Sequence, residues 1–305
     1  MLDGIGVGLI TNAIYVMLTY IKDEKNRTWG LTIYNGACLS GINFGMMLGS
    51  VLAVAVGHRP VFLIVAAIWF TMFVLTGYMV RLIEGMFDST QEEGETLEKI
   101  SIGKFVFNKP IMSFILLIQN PYIVFGSFVF YFIPIYCDSH GYSETICSLL
   151  IMLYSEVAVI GTDMLTERFT KLLGKYAMYA ALLTNAIALA MYFVTPNMVG
   201  IIIALLLMGM SGAYGKPVQQ NYFLELDKVK RYGEDKSMGI YNFSENIGES
   251  LGPIVFGRLM AAGGKNPAVL GFCGCVAGAA GIHYLLNRKE IRDAKREKTE
   301  KTLAQ

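Results

Sequence analysis

The chain has 305 residues, of which 54% are hydrophobic and 16% charged, with a formal net charge of +1. Soluble domains average about 25% charged residues, so this composition indicates a membrane protein, and the near-zero balance excludes a globally basic surface for nucleic acid. The five cysteines and three histidines show no metal-ligand spacing. Cys273-x-Cys275 could be a redox or metal pair, but small residues packing in a membrane helix is the stronger reading.

A bilayer core takes about 20 mainly apolar residues per helix. Nine stretches qualify: 4–21, 30–56, 60–80, 109–136, 144–165, 174–194, 198–226, 238–262 and 267–286. The predicted fold class is therefore an all-α polytopic helical bundle. The connectors alternate between short, nearly uncharged turns such as "GHRP" and "CDSHGYSE" and charged segments such as "KDEKNR" and "ELDKVKRYGEDK". The charged set, with the tail, holds 21 of the 25 lysines and arginines. Positive charge stays on the cytoplasmic side, which predicts cytoplasmic charged connectors, a cytoplasmic C-terminus and residence in the plasma (inner) membrane. Segment 81–108, with "DSTQEEGETLEK", breaks the pattern and reads as a cytoplasmic linker. It separates three helices in 1–80 from six in 109–287, with a tail at 288–305.

The segment before the linker recurs after it at a constant offset of 207 residues. Ile33-Tyr34-Asn35 matches Ile240-Tyr241-Asn242, Gly41 and Gly45 match Gly248 and Gly252, and Gly57 and Pro60 match Gly264 and Pro267. Such parallel repeats build many transporter folds. A full second repeat of six helices implies a twelve-helix parent, of which this chain holds helices four to twelve.

On these features the chain resembles the major facilitator superfamily, whose two six-helix halves are joined by a long cytoplasmic loop. The family's cytoplasmic-loop motif is matched in part by "DMLTERFTK", with Glu167, Arg168 and Lys171 at the acidic and basic positions. A glycine-rich helix like those of the family appears twice, as Gly41-x3-Gly45-x3-Gly49 and as Gly248-x3-Gly252-Pro253. The resemblance implies transport of a small organic solute by alternating access, with protons as a candidate coupling ion, no cofactor and no enzymatic reaction. A non-transporting membrane sensor or scaffold on the same fold is the competing reading. The resemblance also implies that the third helix of each triplet faces lipid. Consistent with that, Glu156, Lys216, Glu245 and Glu249 all lie in first or second helices.

In the family, first helices of triplets line the central cavity. Here they carry Asn12 and Tyr15, Gln119 and Asn120, and Lys216 and Gln219, a mixture suited to a polar or amphipathic solute. Lys216 lies about 15 Å from the cytoplasmic end of its helix, at a depth similar to Glu249. It is expected either to pair with Glu245 or Glu249 or to bind an anionic substrate. Glu156, Glu245 and Glu249 are candidate carriers of a coupling proton. Gly41, Gly45, Gly49, Gly248 and Gly252 form small-residue faces for close helix packing.

Overall fold

The computed structural model describes residues 24–83, 101–261 and 270–287, with isolated positions between 6 and 18. The predicted span 4–21 falls mainly outside the described residues, and Asn12 and Tyr15 with it. Among the described residues the secondary structure is entirely helical.

The first two long helices are α1 (Glu24–Val56) and α2 (His58–Ile83). Between them Gly57 has φ +83°, a left-handed conformation that glycine adopts without strain. Pro60 follows in the first turn of α2, where a missing N–H leaves no helical bond unmade. This is the turn that the repeat predicts. Its copy around Gly264 lies outside the described residues.

A short helix α3 (Ile102–Val106) then leads into α4 (Lys109–Ser139). The end of the predicted linker is therefore folded, and Phe105 is buried there, stacked on Tyr232 with ring centroids 4.2 Å apart. Two π-turns interrupt α4, Ile115–Gln119 and Phe128–Phe132. Each is followed within two residues by a proline, Pro121 or Pro134. A proline cannot donate the regular helical bond, and a locally widened turn absorbs the defect.

The remaining elements are α5 (Glu144–Leu173), α6 (Ala177–Val194), α7 (Met198–Leu224), α8 (Asp227–Tyr232), α9 (Glu234–Ala261) and α10 (Leu270–Asn287). Ser143 and Asn197 cap α5 and α7, accepting from the Ile146 and Gly200 amides at 3.4 Å and 3.0 Å. The expected end of α5 at residue 165 is corrected: the helix runs on to Leu173. Glu167, Arg168 and Lys171 therefore sit on its last turns and not in a loop.

Seven described segments are long and apolar enough to cross a bilayer. Helix α9 is as long as these, but its charged residues, Glu245 and Glu249 among them, lower its hydropathy. Helix α7 runs through the packed centre against α5 and α6, α9 packs on α4, and α1 lies along α5 and touches α7. Helix α2 stands on the outside, with Phe62 and Phe73 each 75% exposed. A bilayer supplies the hydrocarbon that such a face requires.

Candidate functional site

The site is built where α9 crosses α4 and α7. Glycines set how closely α9 can approach. A Cβ on Gly248 would sit 2.8 Å from Asn120 Oδ1 and 3.3 Å from Ile123 Cγ2, and one on Gly252 would collide with Ser127 Oγ. Gln119, fully buried on α4, donates from Nε2 to the Tyr241 carbonyl at 2.9 Å. The second copy of the Ile-Tyr-Asn motif is thereby tied to α4. In the first copy, Asn35 on α1 donates from Nδ2 to Gln220 Oε1 on α7 at 3.1 Å, a buried bond. The two glycine rows differ. Among the described residues, a Cβ on Gly41, Gly45 or Gly49 would meet nothing within 4 Å.

With α9 held this close, Lys216 Nζ on α7 forms an ion pair with Glu245 Oε1. The carboxylate side chain is 11% exposed and the lysine 33%. A turn further along α9, Glu249 remains exposed, within electrostatic range of both charges. Tyr122 on α4 and Tyr154 on α5 also lie near the ammonium. Tyr122 lies against Gly215, where a Cβ would come within 2.8 Å of its ring, and donates to the Ser211 carbonyl at 3.3 Å. Of the two expected partners, the structure joins Lys216 to Glu245 and leaves Glu249 beside the pair.

Buried polar side chains stand on α4, α7 and α9, the helices that meet at this pair. Among the described residues, Gln119 Oε1, Asn120 Oδ1, Gln219 Nε2 and Ser244 Oγ make no hydrogen bond. Buried donors and acceptors of this kind favour polar company, whether water or a solute.

Glu156 stands apart. The stripe of α5 that packs on α7 is Tyr154, Val157, Ala158 and Gly161. At about 100° per residue, Glu156 projects from the opposite side of that helix, half-buried. Lys171 and Glu167 form an exposed i,i+4 pair of 2.7 Å, and Arg168 is exposed beside them.

The sequence reading missed a second polar group that joins α4, α6, α7 and α10. Lys175 bridges Glu225 at 2.6 Å, and its Nζ lies 5.7 Å from the Tyr222 ring centroid. Tyr179 Oη and His283 Nδ1 are 2.7 Å apart, with the histidine fully buried. Asn287 Nδ2 donates to Ser113 Oγ and to the His283 carbonyl, each at 3.1 Å. Helices α6 and α10 thus carry a buried polar face as well as a lipid face. The spacing of His283 and Asn287, one helical turn apart in an apolar run, was the available signal.

These features define a polytopic helical membrane protein with an ionic cluster inside its bundle, the architecture of a solute carrier. The chain belongs to the Major Facilitator Superfamily, whose family model matches residues 1–234. That family is one of membrane transporters. The chain is 31% identical over 123 residues to the multidrug resistance protein MdtG of Yersinia enterocolitica. That match covers 40% of this chain and 25% of the Yersinia protein. It is also 35% identical over 74 residues to the MdtG of a Rahnella species, covering 24% of this chain and 18% of that protein. The matched segments thus span a quarter or less of those relatives.

Proposed function

We propose that this protein moves small organic solutes across the plasma membrane by alternating access, with protons as the coupling ion. The charged connectors and the C-terminus lie in the cytoplasm. In this reading residues 1–80 are the end of one half, 109–287 form the other half, and the two rock about a site near the bilayer midplane. One observation carries the reading: Lys216 and Glu245 form an ion pair inside the bundle, with a second carboxylate, Glu249, one turn away. Ionised groups at such depth are costly in hydrocarbon and mark solute or ion pathways.

The roles divide by geometry. Lys216 and Glu245 hold α7 to α9 and present a dipole to the solute. Asn120, Gln119 and Gln219 supply hydrogen-bonding groups, and Tyr122 supplies an aromatic face. Glu249, outside the pair, binds and releases the coupling proton. Glu156, on the other side of α5, takes no part in this cluster. The named relatives are multidrug resistance proteins, which favours export of drug-like solutes as the direction.

The test is transport by the complete gene product in proteoliposomes, across a panel of amphipathic solutes, with and without a pH gradient. Glu249→Gln is expected to abolish gradient-driven accumulation while leaving downhill exchange. If the variant still responds to the gradient, Glu249 is not the proton carrier. Absence of transport for the entire panel by the intact protein would favour a sensor or scaffold.

A further inference from the structure

We propose that Cys137 and Cys147 form a disulfide across the turn between α4 and α5, a covalent staple on the outer face of the bundle. Neither residue belongs to the cluster described above, and the inference does not depend on what solute is carried.

The turn itself brings the two residues together. Gly141, with φ +69°, reverses the chain. The Tyr142 amide donates back to the Cys137 carbonyl at 2.9 Å, and the Cys147 amide donates to the Ser143 carbonyl at 3.2 Å. Stacked rings brace the outside: Tyr136 and His140 have centroids 4.1 Å apart, and Tyr136 and Tyr142 6.3 Å. Within this frame both thiols are free, and each is a side-chain interaction partner of the other. A disulfide requires sulfurs that can meet across a short distance, and the hydrogen-bonded turn holds the last turn of α4 beside the first turn of α5. Cys38, Cys273 and Cys275 lie on other helices, α1 and α10.

Two further points give the pair a role. The connector "CDSHGYSE" contains no lysine or arginine, which places it on the outer side of the membrane by the distribution of positive charge. Outer compartments are where disulfides form and persist. Both helices also belong to the second six-helix group, so a bond between them leaves rocking of one half against the other free.

The two thiols differ in access. Cys137 is 2% exposed, while Cys147 is half-buried. The order of steps follows from this. The Cys147 thiolate attacks the disulfide of an external oxidant, a thiol–disulfide oxidoreductase, giving a mixed disulfide and releasing one oxidant thiol. The Cys137 thiolate then attacks the Cys147 sulfur, closing the Cys137–Cys147 bond and releasing the second oxidant thiol. Two protons leave the cysteines, and two electrons reduce the oxidant.

The experiment uses the full chain in intact cells. Thiols are blocked with an alkylating agent in acid-quenched membranes, and the protein is then digested and mapped by mass spectrometry without reductant. The expected result is one linked peptide pair, joining residues 137 and 147, that a membrane-impermeant reductant separates in intact cells. In cells exposed to oxidised glutathione, Cys137→Ser is expected to leave Cys147 as a glutathione mixed disulfide, and Cys147→Ser to leave Cys137 unmodified. Alkylation of both residues in the parent after oxidised-glutathione treatment would overturn the proposal. Separation only after the membrane is broken would overturn the outer placement and the proposal with it.

Discussion

Gly252→Ala is the most direct test of how α9 is seated. A Cβ at this position collides with Ser127 Oγ and lies 2.9 Å from Ser127 Cβ. The hydroxyl can rotate away. The Cβ moves only with the α4 backbone, so the two helices must part. Overpacking of this kind costs about 1–3 kcal/mol. Against it stands the gain from replacing glycine with alanine inside a helix, about 1 kcal/mol. The expected net loss is up to about 2 kcal/mol, or up to roughly 8 °C in melting temperature at about 2–4 °C per kcal/mol, and about 1–3 kcal/mol relative to a Gly→Ala change that meets no obstruction. Gly239→Ala is the control: it lies on the same helix, where a Cβ meets nothing within 4 Å among the described residues. There the propensity gain stands alone, and stability should rise. Thermal unfolding in detergent, followed by circular dichroism, compares the two. Combining Gly252→Ala with Ser127→Gly removes the obstructing atoms and should restore much of the loss. If Gly252→Ala melts with Gly239→Ala, or the double variant shows no relief, α9 is not seated as described.

Three further variants test the polar contacts. Lys216→Met strands the buried Glu245 carboxylate and is expected to cost about 3–5 kcal/mol, whereas adding Glu245→Gln should recover most of it; additive losses in thermal unfolding would show that the two do not pair. Tyr179→Phe removes the partner of His283 Nδ1 and should lower stability by about 1–3 kcal/mol, the cost of a buried group left unsatisfied; an unchanged melting temperature contradicts it. Asn35→Ala and Gln220→Ala should show a coupling energy of about 0.6 kcal/mol in a double-mutant cycle, typical of hydrogen bonds between membrane helices; zero coupling would deny the bond.

Much of the bundle was legible in the sequence because hydrocarbon imposes length and polarity on whatever crosses it. The apolar runs located α2, α4, α6, α7, α9 and α10 to within a few residues, and α1 begins six residues earlier than its run, within the charged connector. Boundaries failed where charge was taken as the end of a helix. Glu167, Arg168 and Lys171 are helical because a helix leaving the bilayer keeps its backbone bonds in water, and the i,i+4 pair of Glu167 and Lys171 suits that continuation. Phe105 was invisible for the opposite reason: an aromatic residue in a polar connector is buried only because Tyr232 happens to lie beneath it. The candidate site was half legible. Depth and residue type singled out Lys216, Glu245 and Glu249. The choice of Glu245 as partner depends on rotation and approach of α9, and these are set by contacts at Asn120 and Ser127 that no local pattern encodes.

The repeat separates what the fold needs from what was added to one half. At the offset of 207 residues, the glycines at 248 and 252 have counterparts at 41 and 45, and the asparagine at 242 has one at 35. The charges do not. Leu9, Cys38 and Ile42 stand where the second copy has Lys216, Glu245 and Glu249. Both copies of the Ile-Tyr-Asn motif serve helix contacts, Asn35 to Gln220 and the Tyr241 carbonyl to Gln119. A scaffold that folds without the triad in its first copy does not require the triad to fold in its second. Placing an ion pair and an adjacent carboxylate within a membrane bundle costs free energy that packing alone does not return. That asymmetry is why the cluster, and not the glycines or the motif around it, is the part proposed to serve transport.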